Sequence, residues 1–210
     1  MRSLAAAAAL AVLALPGLAA AEGSYFSFGG GPTAVEDELS AHTGDGGRMR
    51  LAIGHRVGNV AVEAFVAPEF YERGLTSGVG LGVDARYILP VSSGLQLYVR
   101  GSMSRLSTSL DTDPDRDDRG YGGGWPSTTR DYAGRGLGGG VGVQLRGRVR
   151  ALGFLYWPMF FIPVGPKVNA ALFMDHGYDF YRLHPDDGRG GSLDARVTRL
   201  TIGFNVGSDF

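Results

Sequence analysis

The chain has 210 residues, with 20 basic against 21 acidic side chains and a net charge of −1. That balance argues against a nucleic-acid partner, and the absence of cysteine excludes disulfide staples and thiol chemistry. The 35 glycines are far above the usual share and follow no collagen-like period, and Lys167 is the only lysine, so nearly all positive charge is arginine.

Residues 1–21 read as a secretory signal peptide. Arg2 supplies a positive start, residues 4–15 form an apolar run, Pro16 and Gly17 break it, and Ala19-Ala20-Ala21 gives a small-residue cleavage site before Glu22. The run is too short to cross a bilayer as a helix. Cleavage leaves 189 residues, one domain by length, over 22–210. The expected localisation is outside the inner membrane.

The rest of the chain alternates with a period of two, the signature of strands whose successive side chains face opposite ways. Residues 24–30 form a first strand with Tyr25, Phe26 and Phe28, and 32–46 a polar loop. In 47–57, Met49, Leu51 and Ile53 share one face, and Arg48, Arg50 and Arg56 the other. Gly58-Asn59 is a two-residue hairpin turn. In 60–70, Val60, Val62, Ala64 and Val66 oppose Glu63 and Glu69. After a short loop at 72–74, strand 76–89 puts Val79, Leu81, Val83 and Tyr87 against Gly80, Gly82, Asp84 and Arg86. Residues 90–94 turn, and 95–108 set Leu95, Leu97, Val99 and Met103 against Gln96, Tyr98, Arg100, Ser102 and Ser104.

A loop at 109–133 is acidic first, then glycine-rich and aromatic. Strand 134–151 opposes Val141, Val143, Leu145 and Val149 to Gln144, Arg146, Arg148 and Arg150. Strand 168–183 opposes Leu172 and Met174 to Asp175 and Asp179, and 184–192 is a polar loop. The last strand, 194–210, carries Leu200, Ile202, Phe204 and the terminal Phe210 on one face, with Arg199, Thr201, Asn205 and Asp209 on the other.

Eight strands joined alternately by short turns and mostly longer loops fit an antiparallel up-and-down barrel with both ends on one side. Residues 152–164, LGFLYWPMFFIPV, are apolar on both faces and fit this scheme badly. They read as two further strands making ten, as an interfacial segment, or as a cover over one barrel end. Glycines at every second position (78, 80, 82 and 138, 140, 142) leave one face bare, which keeps a narrow interior from overcrowding. A soluble lipocalin-like barrel would turn its apolar face inward and expose lysine and glutamate along its strands. With one lysine here, the apolar face is expected to meet lipid.

The signal, the alternating strands and the terminal Phe210 together resemble the small bacterial outer-membrane β-barrels of the OmpA-like, OmpX and OmpW type. The resemblance is at fold level and implies a transmembrane barrel in the cell outer membrane. It makes Phe210 an assembly signal read by the barrel-assembly machinery. Outer-membrane lipid and lipopolysaccharide become the surroundings, and a monomer is the expected state. No peptidoglycan-binding domain is expected after the barrel. No cofactor is expected.

The inner face of the expected strands then carries Arg48, Arg50, Arg56, Arg86, Arg100, Arg146, Arg148, Arg150 and Arg199, with Glu63, Glu69, Asp84, Asp175 and Asp179. Isolated buried charge is costly, so these groups must pair. Two functions follow. In one, salt bridges plug the lumen and the protein has a structural or surface-interaction role. In the other, an arginine-lined passage admits small anions, with residues 146, 148 and 150 near its inner end.

Other motifs are weaker. Asp111, Asp113, Asp115, Asp117 and Asp118 approach a calcium loop, but Pro114, Arg116 and Gly122 depart from its pattern, and a solvated loop is the reading. Tyr121, Trp125 and Tyr132 read as loop packing. Phe70, Tyr71, Tyr178, Phe180 and Tyr181 read as an aromatic girdle. A lipid-modifying enzyme would need a histidine with a serine and an acid. His42 beside Ser40 and Thr43, and His176 beside Asp175 and Asp179, are the candidates, and neither forms a specific motif.

Overall fold

The structure is a computed structural model, and it describes residues 23–71, 77–111, 129–150 and 167–207. Eight strands are present among them: β1 (Ser24–Asp37), β2 (Gly46–Val57), β3 (Val60–Tyr71), β4 (Ser77–Pro90), β5 (Leu95–Asp111), β6 (Thr129–Arg150), β7 (Lys167–Pro185) and β8 (Leu193–Gly207). A one-turn helix, α1 (Ser40–Thr43), lies between β1 and β2. Each strand pairs with its chain neighbour, and β1 pairs antiparallel with β8, so the sheet closes as an up-and-down barrel.

Residues 24 and 207 lie together at one end with the turns at 58–59 and 91–94; this is the terminal end. The connections at 38–45 and 186–192 lie at the far end, with the described ends of β3, β4, β5 and β6 at Tyr71, Ser77, Asp111 and Thr129. Gly58, at φ 60°, supplies the left-handed backbone that a two-residue hairpin requires. Because β6 pairs directly with β7 over 19 positions from Tyr132↔Pro185 to Arg150↔Lys167, no further strand intervenes, and the ten-strand alternative is corrected to eight. Segment 152–164, residues 1–21, which read in the sequence as a signal peptide, and Phe210 lie outside the described residues.

Several strands run past their expected ends. β1 continues through Pro32 to Asp37, where the sequence reads as a loop. β5 and β6 reach Asp111 and Thr129, so the expected loop at 109–133 shortens at both ends. Pro32 lacks an N–H, yet the β1–β8 register holds on both sides of it, from Gly30↔Ile202 to Thr33↔Arg199.

These extensions share one cause. Along the wall toward the terminal end, side chains are polar inward and apolar outward. Outward-facing Leu97, Val99, Val141, Leu145, Leu172 and Ile202 are exposed, while Glu63, Asp84, Arg86 and Arg100 are buried. Near the far end the pattern inverts. Val35, Leu106, Leu110, Leu183, Ala195 and Val197 point inward and form a buried cluster with Tyr71 and Tyr181. The outward positions there are Glu36, Arg105, Arg135, Arg182, Asp194 and Arg196. One wall thus changes from polar-in to apolar-in as it rises. The far-end rim is built like a small water-soluble barrel, whose core stabilises it by roughly 25 cal/mol per Å² of apolar surface buried.

The β1–β2 connection folds inward to complete that core. Leu39, just before α1, is fully buried in the cluster. Thr43 is buried too, and its hydroxyl donates to the Leu39 carbonyl at 3.0 Å. At the terminal end a second cluster, Tyr25, Ala61, Ile88, Tyr98 and Ala171, lies inside the wall.

Candidate functional site: the charged barrel interior

Strand alternation delivers five arginines and five acids to the interior between the two apolar clusters, and none is more than 7% exposed. They form two chains of alternating charge. The longer runs Arg86–Glu63–Arg50–Asp84–Arg100–Asp175. Arg86 Nη2 lies 2.8 Å from Glu63 Oε2. Arg50 Nη2 donates to Glu63 Oε2 at 2.5 Å and to Asp84 Oδ2 at 2.7 Å. Arg100 spans Asp84 at 3.5 Å and Asp175 at 3.4 Å.

The shorter chain, nearer the far end, runs Arg48–Glu69–Arg199–Asp179. Arg199 Nη2 donates to Glu69 Oε1 at 2.7 Å, Arg48 Nε lies 3.7 Å from the same oxygen, and Arg199 Nη1 contacts Asp179. The two chains hold three and two charges of each sign, so each is neutral. Neutral pairing offsets the several kcal/mol that each unpaired buried ion would cost.

Hydroxyl groups and rings complete the shell. Tyr25 donates to Glu63 at 2.7 Å, Tyr71 to Glu69 at 2.5 Å, Tyr98 to Asp175 at 3.2 Å and Ser102 to Asp179 at 2.8 Å. The Arg86 guanidinium sits between two rings, 4.8 Å from the Tyr98 centroid and 5.5 Å from that of Phe173. Arg50 and Arg48 lie 4.9 and 5.1 Å from the Phe65 ring centre. Desolvated contacts of this kind contribute about 2 kcal/mol.

The inward glycines make room for these groups. A Cβ at Gly142 would collide with the Tyr98 ring, one at Gly138 with the Asp179 carboxylate, and one at Gly177 with the Arg100 guanidinium.

The other arginines expected on the inner face lie at the terminal end, away from the two chains. Arg56 is half-buried; its Nε donates to the Gly58 carbonyl at 2.6 Å and its Nη1 to Gln96 at 3.2 Å. Arg146 is half-buried and Arg148 exposed. Arg150 pairs with Lys167 in the backbone ladder, and its side chain is outside the described residues. Gln144 donates to Gln96 at 2.6 Å, and Asn205 to Gln144 at 3.4 Å, so an amide layer separates these arginines from the ion pairs.

Two sequence expectations are corrected here. Tyr71 and Tyr181 do not join an outer girdle. Period two turns them inward while Phe70, Tyr178 and Phe180 face out, and Tyr181 accepts from Ser104 at 3.0 Å and from Arg199 at 3.3 Å. Phe65 and Phe173, the ring partners of the arginines, were not singled out in the sequence; their parity with Glu63 and Asp175 is the signal that points to them.

The histidine constellations do not assemble. His176 faces outward, opposite to Asp175 and Asp179 on the same strand. Ser40 donates to the Asp37 carbonyl and Thr43 to that of Leu39, so neither bonds His42. Among the described residues no three His, Asp or Glu converge as metal ligands, and Asp113, Asp115, Asp117 and Asp118 lie outside them. Tyr121 and Trp125 are also outside, while Tyr132 packs on the far-end cluster.

A closed, eight-stranded, antiparallel wall with an apolar outer band and a polar interior is the fold of the small bacterial outer-membrane β-barrels. Among solved structures it is similar to Neisserial surface protein A, with a TM-score of 0.62 and 15% identity over 89% of this chain and 97% of that one. Ail of Yersinia pestis aligns over 88% of this chain and 99% of its own at 12% identity and a TM-score of 0.41. OprG of Pseudomonas aeruginosa aligns over 90% and 97% at 12% identity and 0.39. No protein-family model matches the chain, and no curated protein matches it in sequence.

Proposed function

We propose that this chain is an integral protein of the bacterial outer membrane whose own side chains close its lumen, and that it has a structural or surface-interaction role without catalysis. The observation that carries this reading is the pair of neutral charge chains, buried between apolar clusters at both ends. Ten buried ionised groups held this way direct their charges at one another across the interior, not along an open path that a solute could follow. The apolar outer band suits lipid. The word surface in the name of the Neisserial relative accords with a role at the cell exterior.

Cell fractionation tests the location. The expected result is recovery in the outer-membrane fraction, as a band whose gel mobility changes on heating. Recovery as soluble periplasmic protein would contradict it.

A second reading, a narrow anion passage, is favoured by one observation. Arg56, Arg146 and Arg148 form a basic rim at the terminal end. Such a rim attracts anions, and passage would require the two charge chains to part.

A further inference from the structure

On the outer face of the wall, where the apolar band gives way to the far-end rim, three arginines stand side by side on adjacent strands. Arg105 of β5 is the direct register partner of Arg135 of β6, and Arg135 is the partner of Arg182 of β7. Like charges directly opposite on one face of a sheet destabilise it. Arg182 is compensated, because it donates to both carboxylate oxygens of Asp194, at 2.8 and 3.2 Å. Among the described residues no carboxylate pairs with Arg105 or Arg135.

Two residues further toward the terminal end, the same three strands present Met103, Leu137 and Phe180, which are exposed and are themselves register neighbours of one another or of the flanking strand. Between the two rows runs a groove of about 880 Å³, with the backbone of Ser104, Gly136 and Tyr181 as its floor. A second cavity of about 420 Å³ lies beyond the arginines, bounded by Ala133 and His184. The arginine row lines both.

The groove passes from an apolar wall to an arginine row and then to the smaller recess at Ala133, Gly134 and His184. In that row Arg105 and Arg135 have no carboxylate partner among the described residues and Arg182 has Asp194. Asp37 and Asp194 also line the groove. A free anion would use the cations and leave the apolar wall exposed. A soluble apolar molecule would leave the cations unpaired. A phosphorylated lipid uses all three, and arginine binds phosphate oxygens bidentately.

We propose that Arg105 and Arg135, with Arg182 beside them, hold the phosphate of a lipid headgroup in the surrounding membrane, its acyl chains lying along Met103, Leu137 and Phe180. This rests on the membrane-barrel reading above and adds a site to it. Bound phosphate removes the cross-strand repulsion and ties the far-end rim to the lipid surface at a fixed height.

The test is native mass spectrometry of the detergent-folded protein with lipid A bearing its phosphates, with dephosphorylated lipid A, and with inorganic phosphate. Wild type should retain the phosphorylated lipid about 10-fold better than the dephosphorylated one, the ratio that about 1.4 kcal/mol of charge-assisted contact gives. R105Q/R135Q should lose that preference, and R105K/R135K should keep most of it. If the double glutamine variant fails to fold, R135Q alone is read the same way.

Equal retention of both lipids by wild type, unchanged preference in the glutamine variant, or displacement of the lipid by equimolar inorganic phosphate would each overturn the site. Failure of wild type to fold in detergent would count against the membrane barrel instead, and a heat-modifiability gel separates the two outcomes.

Discussion

Glu63 on β3 and Asp84 on β4 are direct register partners on the inner face of the barrel, and one guanidinium nitrogen of Arg50 reaches both, at 2.5 and 2.7 Å. Two carboxylates in cross-strand contact repel one another, and Arg50 turns that repulsion into the centre of a six-member neutral chain. Arg86 and Arg100, also direct partners, are separated in the same manner by Glu63, Asp84 and Asp175. Like-charged neighbours across strands are thus compensated by opposite charges from the strands on either side.

Removing the shared cation should therefore be costly. Arg50→Met leaves Glu63 and Asp84 adjacent and buried, and should lower unfolding free energy by about 3–5 kcal/mol, the usual cost of breaking a buried ion pair from one side. Urea unfolding of the detergent-folded barrel reads it. A variant within about 0.5 kcal/mol of wild type, the range of neutral surface changes, would show that the chain contributes little to holding the wall.

Glycine substitutions should divide by face. Gly142→Val places a side chain where the Tyr98 ring lies, which disturbs both the bond to Asp175 and the packing on Arg86. Overpacking of this kind costs about 1–3 kcal/mol. Gly101 and Gly147 have open space where a Cβ would stand. Alanine at either should leave the unfolding midpoint unchanged or raise it slightly, because glycine weakens a strand interior. Equal losses on both faces would contradict the interior packing described here.

The outer band makes a depth-dependent prediction. Val141 lies near its middle, with Leu137 and Leu145 on either side along β6, all exposed. Val141→Arg should cost about 2–4 kcal/mol in lipid, as arginine does at a bilayer midplane, and Val141→Leu almost nothing. Unfolding from vesicles measures both. A tolerated arginine at 141 would mean that this face does not meet hydrocarbon.

Outside the membrane band, Asp187 in the β7–β8 connection is held below the usual aspartate range, first by the Arg189 N–H, which donates to it at 2.9 Å, and then by Arg130, whose Nη2 donates at 2.6 Å. Arg130 also contacts the Arg189 carbonyl, so it clips the connection to the start of β6. A depressed carboxylate stabilises its loop above its unfolded pKa and loses that contribution as pH falls through the folded value. The carboxyl carbon resonance of Asp187 should titrate below the range of an unperturbed aspartate, and the midpoint should rise in Arg130→Gln. A midpoint that Arg130→Gln leaves in place would remove the clip.

The faces of the strands were legible in the sequence because alternation is local. Each residue's side is set by its distance along the chain from its neighbours, so Arg48, Arg50, Glu63, Asp84, Arg86, Arg100 and Arg199 could be assigned before any pairing was known. Their partners could not. Arg199 meets Glu69 across 130 positions of sequence, a contact set by barrel closure and strand stagger.

Strand ends were obscured for a different reason. Beyond the apolar band the outward face turns polar, so 32–37, 109–111 and 129–133 carry loop-like composition while their backbones remain in the ladder. Reading Leu106, Leu110, Leu183 and Val197 as inward would have revealed the inversion, since they share parity with Ser104, Thr108, Tyr181 and Arg199.

The measurement that bears most directly on a lumen closed by its own ion pairs is planar-bilayer conductance of the folded protein. No steady single-channel steps should appear for folded, inserted wild type. Stable steps with anion preference, weakened by Arg148→Glu, would contradict the closed lumen and establish the passage at the basic rim.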